Sequence, residues 1–323
     1  GVRPNDAYGL LSQIGAECAG AVQFTREDTS PLGHLVPLTE AEVTRIIEDL
    51  PTLSPPEGET VSASLGGVQG KALLTRTDSG WAWPAAGAMS THIVKPEPTD
   101  PNVPIPRIVE YEHWAMQVAR EIGIPAAKTE LVRFGSRLAI VVERYDRRAG
   151  HRLHQEDFAQ ALGIRSGAKY EPSNEPVSRL SRIAAGPGGE AIAPAAFRES
   201  LLRLVAFNAL MGNGDAHAKN YSVILRHGVF ELAPAYDVAP VFHVNSRFSN
   251  FGMRIAGTRD LQYLTFDDLV EEATSWSLPA ATVRHIIDET SLALGSALVT
   301  VPGSPLTDPI REQIGRRIER FRA

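Results

Sequence analysis

The chain has 323 residues, 43% of them hydrophobic, so it can bury a substantial core and is expected to form two lobes. Its formal net charge of −6 provides no broad basic surface, so direct nucleic-acid binding by this chain alone is not favoured. A single cysteine, Cys18, excludes an internal disulfide and a cysteine-rich zinc site and is typical of a cytoplasmic protein. No secretory signal or apolar run of roughly 18 residues is present, so we expect no membrane association.

The first part of the chain, up to about residue 150, reads mostly as strands with one amphipathic helix. Residues 61–74 have the pattern of a strand, a glycine turn and a second strand, and residues 92–95 form another short strand. Apolar residues recur at helical spacing over residues 108–122, which predicts a helix. Residues 131–145 are typical of a hairpin whose second strand is buried on both faces.

Beyond residue 150 the pattern becomes helical. Residues 197–211 are apolar on most faces, which predicts a buried central helix. A hairpin turning at His227-Gly228 follows, and a terminal helix is expected with Asp308 as its N-cap. The sequence thus predicts an α+β protein with a β-rich N-terminal lobe, residues 1–147, and a helical C-terminal lobe, residues 148–323.

Polar residues with a particular spacing follow the predicted buried helix. Asp215 and Asn220 are separated by four residues, the spacing of the catalytic aspartate and the magnesium-binding asparagine of protein kinases. A hairpin then delivers Asp237, a carboxylate that suits a magnesium ion bound to ATP phosphates. Each residue taken singly is also explained as a turn or capping residue. The order of buried helix, polar loop, hairpin and aspartate favours a kinase site over that explanation.

Kinase chemistry also needs a lysine on a strand of the N-terminal lobe and an acidic partner on the following helix. Lys95 ends the strand at residues 92–95. Glu110 lies almost opposite the apolar stripe of the next helix, whereas Glu112 lies on its margin, so Glu112 is the predicted partner. As alternatives, Lys95 is a solvated residue before a proline and Glu112 is a surface charge.

Other enzyme classes match less well. The glycines at 66 and 70 have one residue too few between them for a Walker A loop, and Lys71 is followed by Ala72 instead of Ser or Thr. No H-E-x-x-H zinc motif and no G-x-S-x-G elbow occur in the sequence. A glycine-rich turn lying over phosphates stays open beside an ordinary hairpin turn. His217 is either a catalytic histidine or a donor that orders the loop.

Several segments in one order resemble the HipA family of bacterial serine/threonine kinases, the toxins of type II toxin–antitoxin pairs. These segments are SLGGVQGK (64–71), THIVK (91–95), VVERYDRR (141–148), GNGDAHAKNYS (212–222) and LAPAYDVAP (232–240). The opening residues 5–24 also resemble the family segment ahead of the kinase core, so the likeness covers almost the whole chain. It implies a two-lobed protein-kinase-like fold that uses ATP and Mg²⁺ between the lobes.

The resemblance also implies roles for individual residues. Asp215 would be the catalytic base, Lys95 would hold phosphate, and Asn220 and Asp237 would bind Mg²⁺. His217 and Lys219 would support the phosphates and the loop geometry. The remaining nucleotide-binding residues implied by the family are those of the glycine-rich loop, Ser64, Gly66, Gly67, Val68 and Gln69, and those of the hinge, Glu143, Tyr145 and Asp146.

Regulation and partners follow from the same resemblance. A serine of the glycine-rich loop is autophosphorylated in the family, and Ser64 is the matching residue, with Ser62 as a second candidate. Added phosphate would oppose ATP binding by charge repulsion. The implied partners are a HipB-like helix-turn-helix antitoxin, through which alone DNA is reached, and a protein substrate such as an aminoacyl-tRNA synthetase.

One departure from the family pattern concerns the N-terminus. Family members usually carry a further subdomain ahead of the segment that starts at Asn5. Either the chain is truncated, or that subdomain is a separate small protein that binds it. Two other functions also stay open, a small-molecule phosphotransferase of kinase-like fold and a non-catalytic co-repressor partner of a DNA-binding antitoxin.

Overall fold

The computed structural model describes residues 6–25, 33–59, 61, 69–186, 194–226 and 229–322. The chain divides into two compact units, each with its own interior. Unit 1 comprises Gly1–Glu110 and Ala127–Gln155, and unit 2 comprises Tyr111–Ala126 and Glu156–Ala323. The predicted lobe boundary at residues 147 and 148 is a functional division and stays a prediction.

Unit 1 is built on an antiparallel sheet of six strands in the order β1-β3-β2-β4-β6-β5. Its strands are β1 (His34–Leu38), β2 (Ala72–Thr77), β3 (Gly80–Ala85), β4 (His92–Pro96), β5 (Thr129–Phe134) and β6 (Arg137–Glu143). A two-stranded ribbon, β7 (Arg147–Arg148) and β8 (His151–Arg152), follows. The predicted strand at 92–95 and the hairpin at 131–145 are confirmed, and Ala139 to Val142 of β6 are all buried.

Two helices of unit 1, α1 (Ala7–Ile14) and α2 (Glu40–Glu48), were missed, so the expectation of one helix before residue 150 is wrong. The α2 helix has a sequence signal, because Thr39 and Glu42 form a capping box. Its buried residues Val43, Ile46 and Ile47 pack with the sheet in the core of unit 1.

Unit 2 is mainly helical. Its helices are α3 (Ile108–Glu121, whose first residues belong to unit 1), α4 (Phe158–Ala161), α5 (Arg179–Ala184), α6 (Ala195–Met211), α7 (Val241–Val244), α8 (Phe266–Ser275), α9 (Ala280–Thr300) and α10 (Asp308–Arg322). Its strands are β9 (His154–Asp157, which begins in unit 1), β10 (Ser222–Arg226), β11 (Val229–Leu232), β12 (Asn250–Ile255) and β13 (Thr258–Asp260). Short 3-10 helices lie at Ser166–Ala168, Ala218–Asn220 and Ser246–Phe248.

The long buried helix predicted at 197–211 is confirmed as α6, and its neighbours α8, α9 and α10 cover it. The antiparallel pair β10 and β11 confirms the predicted strands, although the turn at residues 227 and 228 lies outside the described residues. The terminal helix begins at Asp308, so the N-cap predicted there is wrong by one residue. Among the helices that the structure describes, none has the length and apolar character needed to cross a membrane.

Candidate active site

The C-terminal end of α6 is where the polar segment of the candidate site begins. Gly212 ends the helix in a left-handed conformation, with φ 78°, which is favourable for glycine. A Cβ on Gly214 would lie 1.8 Å from the carbonyl oxygen of Phe248, so only glycine fits there. Asn213 is buried and donates through Nδ2 to Oδ1 of Asn208, at 2.7 Å. These contacts stop the helix and turn the chain toward Asp215.

The loop from Asp215 to Asn220 is held by its own hydrogen bonds. The backbone carbonyl of Asp215 accepts the N–H of His217 at 2.8 Å and Nδ2 of Asn220 at 3.0 Å. The backbone N–H of Asn220 in turn donates to the carbonyl of His217 at 2.8 Å. The two residues of the D-x-x-x-x-N spacing are therefore joined directly, through the amide of one and the backbone of the other.

His217 lies buried in this loop. Burial lowers the pKa of its imidazole, the negative charges of Asp215 and Asp237 act in the opposite direction, and the charge of Lys169 lowers it further. Nδ1 of His217 has no hydrogen-bond partner among the described residues. The imidazole thus lies within electrostatic reach of both candidate carboxylates, which brings Asp215 and Asp237 into one neighbourhood.

Asp237 is delivered by the chain that follows β11. The hydroxyl of Tyr236, its neighbour, donates to the carbonyl of Lys219 at 2.9 Å and also contacts Oγ of Ser222 at 2.7 Å. Because a phenol has one hydrogen, the Ser222 hydroxyl is the donor in the second contact. Asp237 itself is exposed and has a left-handed φ of 58°, which aspartate adopts more readily than most residues. The Tyr236 hydrogen bond therefore ties the segment that carries Asp237 to the catalytic loop.

The donor atoms present are consistent with Mg²⁺. The amide nitrogen of Asn220 donates to the backbone carbonyl of Asp215, so its amide oxygen is the atom that could face a metal ion, and Asp237 has a carboxylate. Mg²⁺ prefers oxygen ligands and typically takes one or two carboxylates, with phosphate and water completing its shell. No cluster of three or more His, Cys, Asp or Glu residues suited to a metal occurs in the described ranges.

Lys219 points to a structural partner. Its Nζ lies 2.8 Å from Oδ2 of Asp157, whose Oδ1 accepts the backbone N–H of Gln160 and caps α4. Lys219 and Asp157 are both partly buried. The predicted supporting role of Lys219 in loop geometry is consistent with this ion pair.

Of the residues predicted outside the catalytic loop, Lys95 lies on β4 and Glu112 on α3, whereas Gln69 precedes β2. Lys95 is buried on β4, opposite Ile140 of β6, and Gln69 donates through Nε2 to the carbonyl of Pro96 at 3.1 Å. Glu112 is buried on α3, at 3% exposure. A buried lysine and a buried glutamate both require compensating partners, so neither is the solvated surface charge that the alternatives describe.

The predicted hinge follows β6. The backbone N–H of Glu143 donates to the carbonyl of Lys128 at 2.9 Å, so a contact of Glu143 with adenine would use its carbonyl oxygen. The hydroxyl of Tyr145 donates to Oε1 of Gln155 at 2.7 Å. Asp146 is buried and its oxygens accept hydrogen bonds from two arginines and a backbone N–H, so its carboxylate is already engaged within unit 1.

Asp146 belongs to a buried ion cluster that the sequence reasoning missed. Glu17, 0% exposed, accepts hydrogen bonds from Arg144 and Arg147 at 3.0 Å each and from Arg152. Burial raises the pKa of Asp146, but hydrogen bonds and charges from Arg144 and Arg147 outweigh it and lower that pKa. The only sequence signal is the group of arginines that begins at Arg144, and such a group of charges usually indicates a solvated surface.

A second missed residue is Tyr170, whose hydroxyl donates to Oδ1 of Asp215. Forty-five residues separate the two, and no local pattern links them. Burial raises the pKa of the Tyr170 phenol, and the hydrogen bond and charge of Asp215 raise it further.

Five residues predicted in the glycine-rich loop, Ser62, Ser64, Gly66, Gly67 and Val68, lie outside the described residues. Their roles in nucleotide binding and autophosphorylation stay predictions.

The chain is similar to known proteins over most of its length. Residues 63–298 match the family described as "HipA-like C-terminal domain". "Putative kinase Y4mE" of Sinorhizobium fredii is 32% identical over 320 residues, which cover 92% of this chain and 74% of that protein. "Serine/threonine-protein kinase toxin HipA" of Shewanella oneidensis is 34% identical over 262 residues, covering 75% of this chain and 58% of that protein.

Solved structures agree with these matches. A chain in the complex of the Shewanella oneidensis MR-1 toxin–antitoxin system HipA, HipB and operator DNA superposes with a TM-score of 0.80 at 28% identity, covering 99% of this chain and 80% of that chain. The Helicobacter pylori proinflammatory kinase CtkA, 13% identical, has a TM-score of 0.51 over 82% of this chain and 91% of its own, a likeness of fold alone. The predicted α+β, protein-kinase-like fold is confirmed, and the chain belongs to the HipA family of kinases.

Proposed function

We propose that this chain is an ATP- and Mg²⁺-dependent serine/threonine protein kinase that acts as the toxin of a toxin–antitoxin pair. The observation that carries the proposal is the loop in which the amide of Asn220 binds the backbone of Asp215, with the Tyr236 hydroxyl tying the segment of Asp237 to Lys219 of that loop. A carboxylate base and two oxygen ligands for the metal are among the parts that phosphoryl transfer requires of a protein. The kinase names of the relatives support the same reaction class.

Each residue of the loop has a proposed task. Asp215 accepts a hydrogen bond from the acceptor hydroxyl and takes up its proton as that oxygen bonds to the γ-phosphorus of ATP, whose bond to the bridging oxygen breaks to release ADP. Asn220 and Asp237 would hold Mg²⁺, which would neutralise the oxygens of the phosphoryl group that ATP donates. His217 and Lys219 hold the loop, Lys219 through Asp157.

Residues outside the catalytic loop have proposed tasks as well. Lys95 binds the phosphates, and Glu112 positions Lys95 through an ion pair. Gln69 and the preceding loop residues Ser64, Gly66, Gly67 and Val68 line the phosphates. At the hinge, Glu143 and Tyr145 offer backbone groups to adenine. Asp146 lies near the ribose and keeps the hinge in place, because its carboxylate is bound by Arg144 and Arg147. The functional lobes are residues 1–147 and 148–323.

The proposed biological role includes regulation and partners. Autophosphorylation of Ser64, or of Ser62, would place negative charge where ATP phosphates bind and would inactivate the kinase. A HipB-like antitoxin is the proposed partner, because the similar solved chain is in a complex with HipB and operator DNA. The proposed substrate is a translation-related protein such as an aminoacyl-tRNA synthetase.

The test is incubation of the purified chain with ATP and Mg²⁺, followed by intact mass measurement and phosphopeptide mapping of residues 62–71. We expect phosphate on Ser64 or Ser62 and on an added protein acceptor, and no phosphate with Asp215→Asn. Asp267→Asn, which changes an aspartate whose side chain is 81% exposed, is the matched control and should keep full activity. A wild-type chain that binds ATP and transfers no phosphate would refute the proposal.

The same variants separate the alternatives in cells. If Asp215→Asn abolishes growth arrest while antitoxin binding persists, the toxin acts by phosphorylation. An unchanged growth phenotype would favour a co-repressor, and phosphate found only on a small molecule would favour a phosphotransferase of that class.

A further inference from the structure

The carboxylate of Asp215 is held by a residue that is not part of its loop. The hydroxyl of Tyr170 donates to Oδ1 of Asp215, and among the described residues no other group hydrogen-bonds to this carboxylate. The Tyr170 ring lies edge-on to the imidazole of His217, with centroids 5.1 Å apart. Nζ of Lys169 lies 5.0 Å from the ring centroid on Tyr170, which adds a cation–π contact. The ring is thus braced on two sides while its hydroxyl reaches the candidate base.

The backbone around Tyr170 is anchored on both sides. The carbonyl of Lys169 accepts the N–H of Ala218 at 3.3 Å, and the N–H of Glu171 donates to the carbonyl of Gly252 at 2.9 Å. The carboxylate of Glu171, 0% exposed, pairs with Nε of Arg254 at 2.8 Å and also accepts its backbone N–H. A buried ion pair is costly to break, so the backbone that carries Tyr170 is held in place. This arrangement fits a residue that positions its partner better than a gate that must swing away.

The chemistry of the contact supports the same role. Partial burial and then Asp215 itself raise the pKa of the Tyr170 phenol, so the phenol keeps its proton and stays a donor at the pH where a kinase works. One O–H occupies one carboxylate oxygen and restricts rotation of the carboxylate about its bond to Cβ. The other oxygen, Oδ2, is left to accept the hydrogen of an acceptor hydroxyl. Fixing a reacting group in one orientation lowers the barrier, because the orientation no longer has to be found in each turnover.

We propose that Tyr170 is a positioning residue for phosphoryl transfer, which holds Asp215 by Oδ1 so that Oδ2 serves the acceptor hydroxyl. This inference rests on the proposed kinase function and adds a residue to it. It also makes the segment around Tyr170 part of the active machinery, although it lies far from the catalytic loop in sequence.

The first test is the kinetics of Tyr170→Phe, which removes the hydroxyl and keeps the ring contacts. We expect kcat to fall about ten- to a hundredfold with KM for ATP and thermal stability unchanged. Tyr263→Phe, at a residue 72% exposed, is the matched control and should behave like the wild type. An unchanged kcat refutes the proposal, and so does a raised kcat, which would identify Tyr170 as a gate. Phosphate on Tyr170 in the ATP-treated protein would also refute it, because the phenol would then be an acceptor.

The second test does not depend on kinase activity. A fluorotyrosine at position 170 reports the ionisation of its phenol by 19F NMR. The measurement is made in the chain with Asp215 intact and in the Asp215→Asn variant. We expect the phenol to ionise at lower pH in Asp215→Asn, because a negative hydrogen-bond acceptor has been removed. Equal ionisation in both proteins would show that the contact is absent in solution and would refute the proposal.

The two tests together distinguish the possible failures. If the wild type is active and Tyr170→Phe equals it, the positioning role fails and the kinase function stands. If the wild type transfers no phosphate while the 19F shift is present, the proposed function fails and the positioning role fails with it.

Discussion

Removal of Glu17 should destabilise unit 1 more than any surface charge change. Glu17 is 0% exposed and accepts hydrogen bonds from both Ser90 N–H and Oγ, at 3.0 and 2.8 Å, and from three guanidinium groups. In Glu17→Gln the cluster keeps three buried or nearly buried arginines and loses one of its two carboxylates. Breaking a buried ion pair from one side costs about 3–5 kcal/mol, because the charge left behind stays desolvated.

The size of the loss in unfolding free energy shows whether the buried ion pairs of Glu17 stabilise unit 1. Glu130→Gln is the matched control, because Glu130 pairs with Arg76 on the surface with 43% of its side chain exposed. Exposed pairs contribute about 0–1 kcal/mol, so the two variants should differ by several kcal/mol in urea unfolding of unit 1. A Glu17→Gln loss no larger than that of Glu130→Gln would refute the reasoning.

The thiol of Cys18 can serve as a probe in this experiment. Cys18 is the single cysteine, its carbonyl accepts hydrogen bonds from Arg144 and Arg147 at 3.1 and 2.7 Å, and its thiol is half-buried. Burial and then the charge of Glu17 raise the pKa of the thiol. We expect Cys18 to react faster with a thiol reagent in Glu17→Gln. Rates measured at several pH values separate a larger thiolate fraction from opening of the segment.

Three further predictions concern unit 2. Gly252→Ala should cost about 1–3 kcal/mol and slow phosphoryl transfer, because a Cβ there would lie 2.5 Å from backbone atoms of His217; urea unfolding and kinase assays measure both. Burial and then Arg317 lower the pKa of His243 to about 4, so the unfolded chain binds more protons between pH 6.5 and 4, and stability should fall as the pH falls through that window. His243→Gln should flatten this dependence. Lys219→Met and Asp157→Asn should reduce kinase activity equally if the ion pair acts as one unit. The double variant should then reduce kinase activity no further.

The first two of these predictions have a control variant on the same unit. Gly295→Ala adds a Cβ that meets nothing within 4 Å and should leave activity unchanged, which separates crowding at Gly252 from a general effect. His285→Gln, whose side chain is 68% exposed, should keep the pH dependence of the wild type. A flat pH profile in the wild type would contradict the burial argument for His243, and additive losses in the double variant would show that Lys219 and Asp157 act separately.

Local patterns predicted most of the elements that carry the site. The central helix was predicted because apolar residues cover most of its faces, and the strands after it because β-branched and apolar residues lie beside a glycine turn. The helix at Glu40–Glu48 was missed although its capping box is present in the sequence. Charge patterns were the weaker guide, because a run of arginines looks the same in sequence whether it is solvated or buried.

The loop of Asp215 and Asn220 could be predicted from the sequence as a candidate site, since the two residues are close along the chain and their hydrogen bonds are local. Tertiary structure alone decided what surrounds them. Tyr170 reaches Asp215 across 45 residues, and Glu17 reaches Arg144 across 127. Contacts of this kind depend on how elements pack, and no periodicity or spacing along the chain encodes them. The loop is therefore predictable from the sequence, whereas the hydroxyl that holds its carboxylate is a property of the fold.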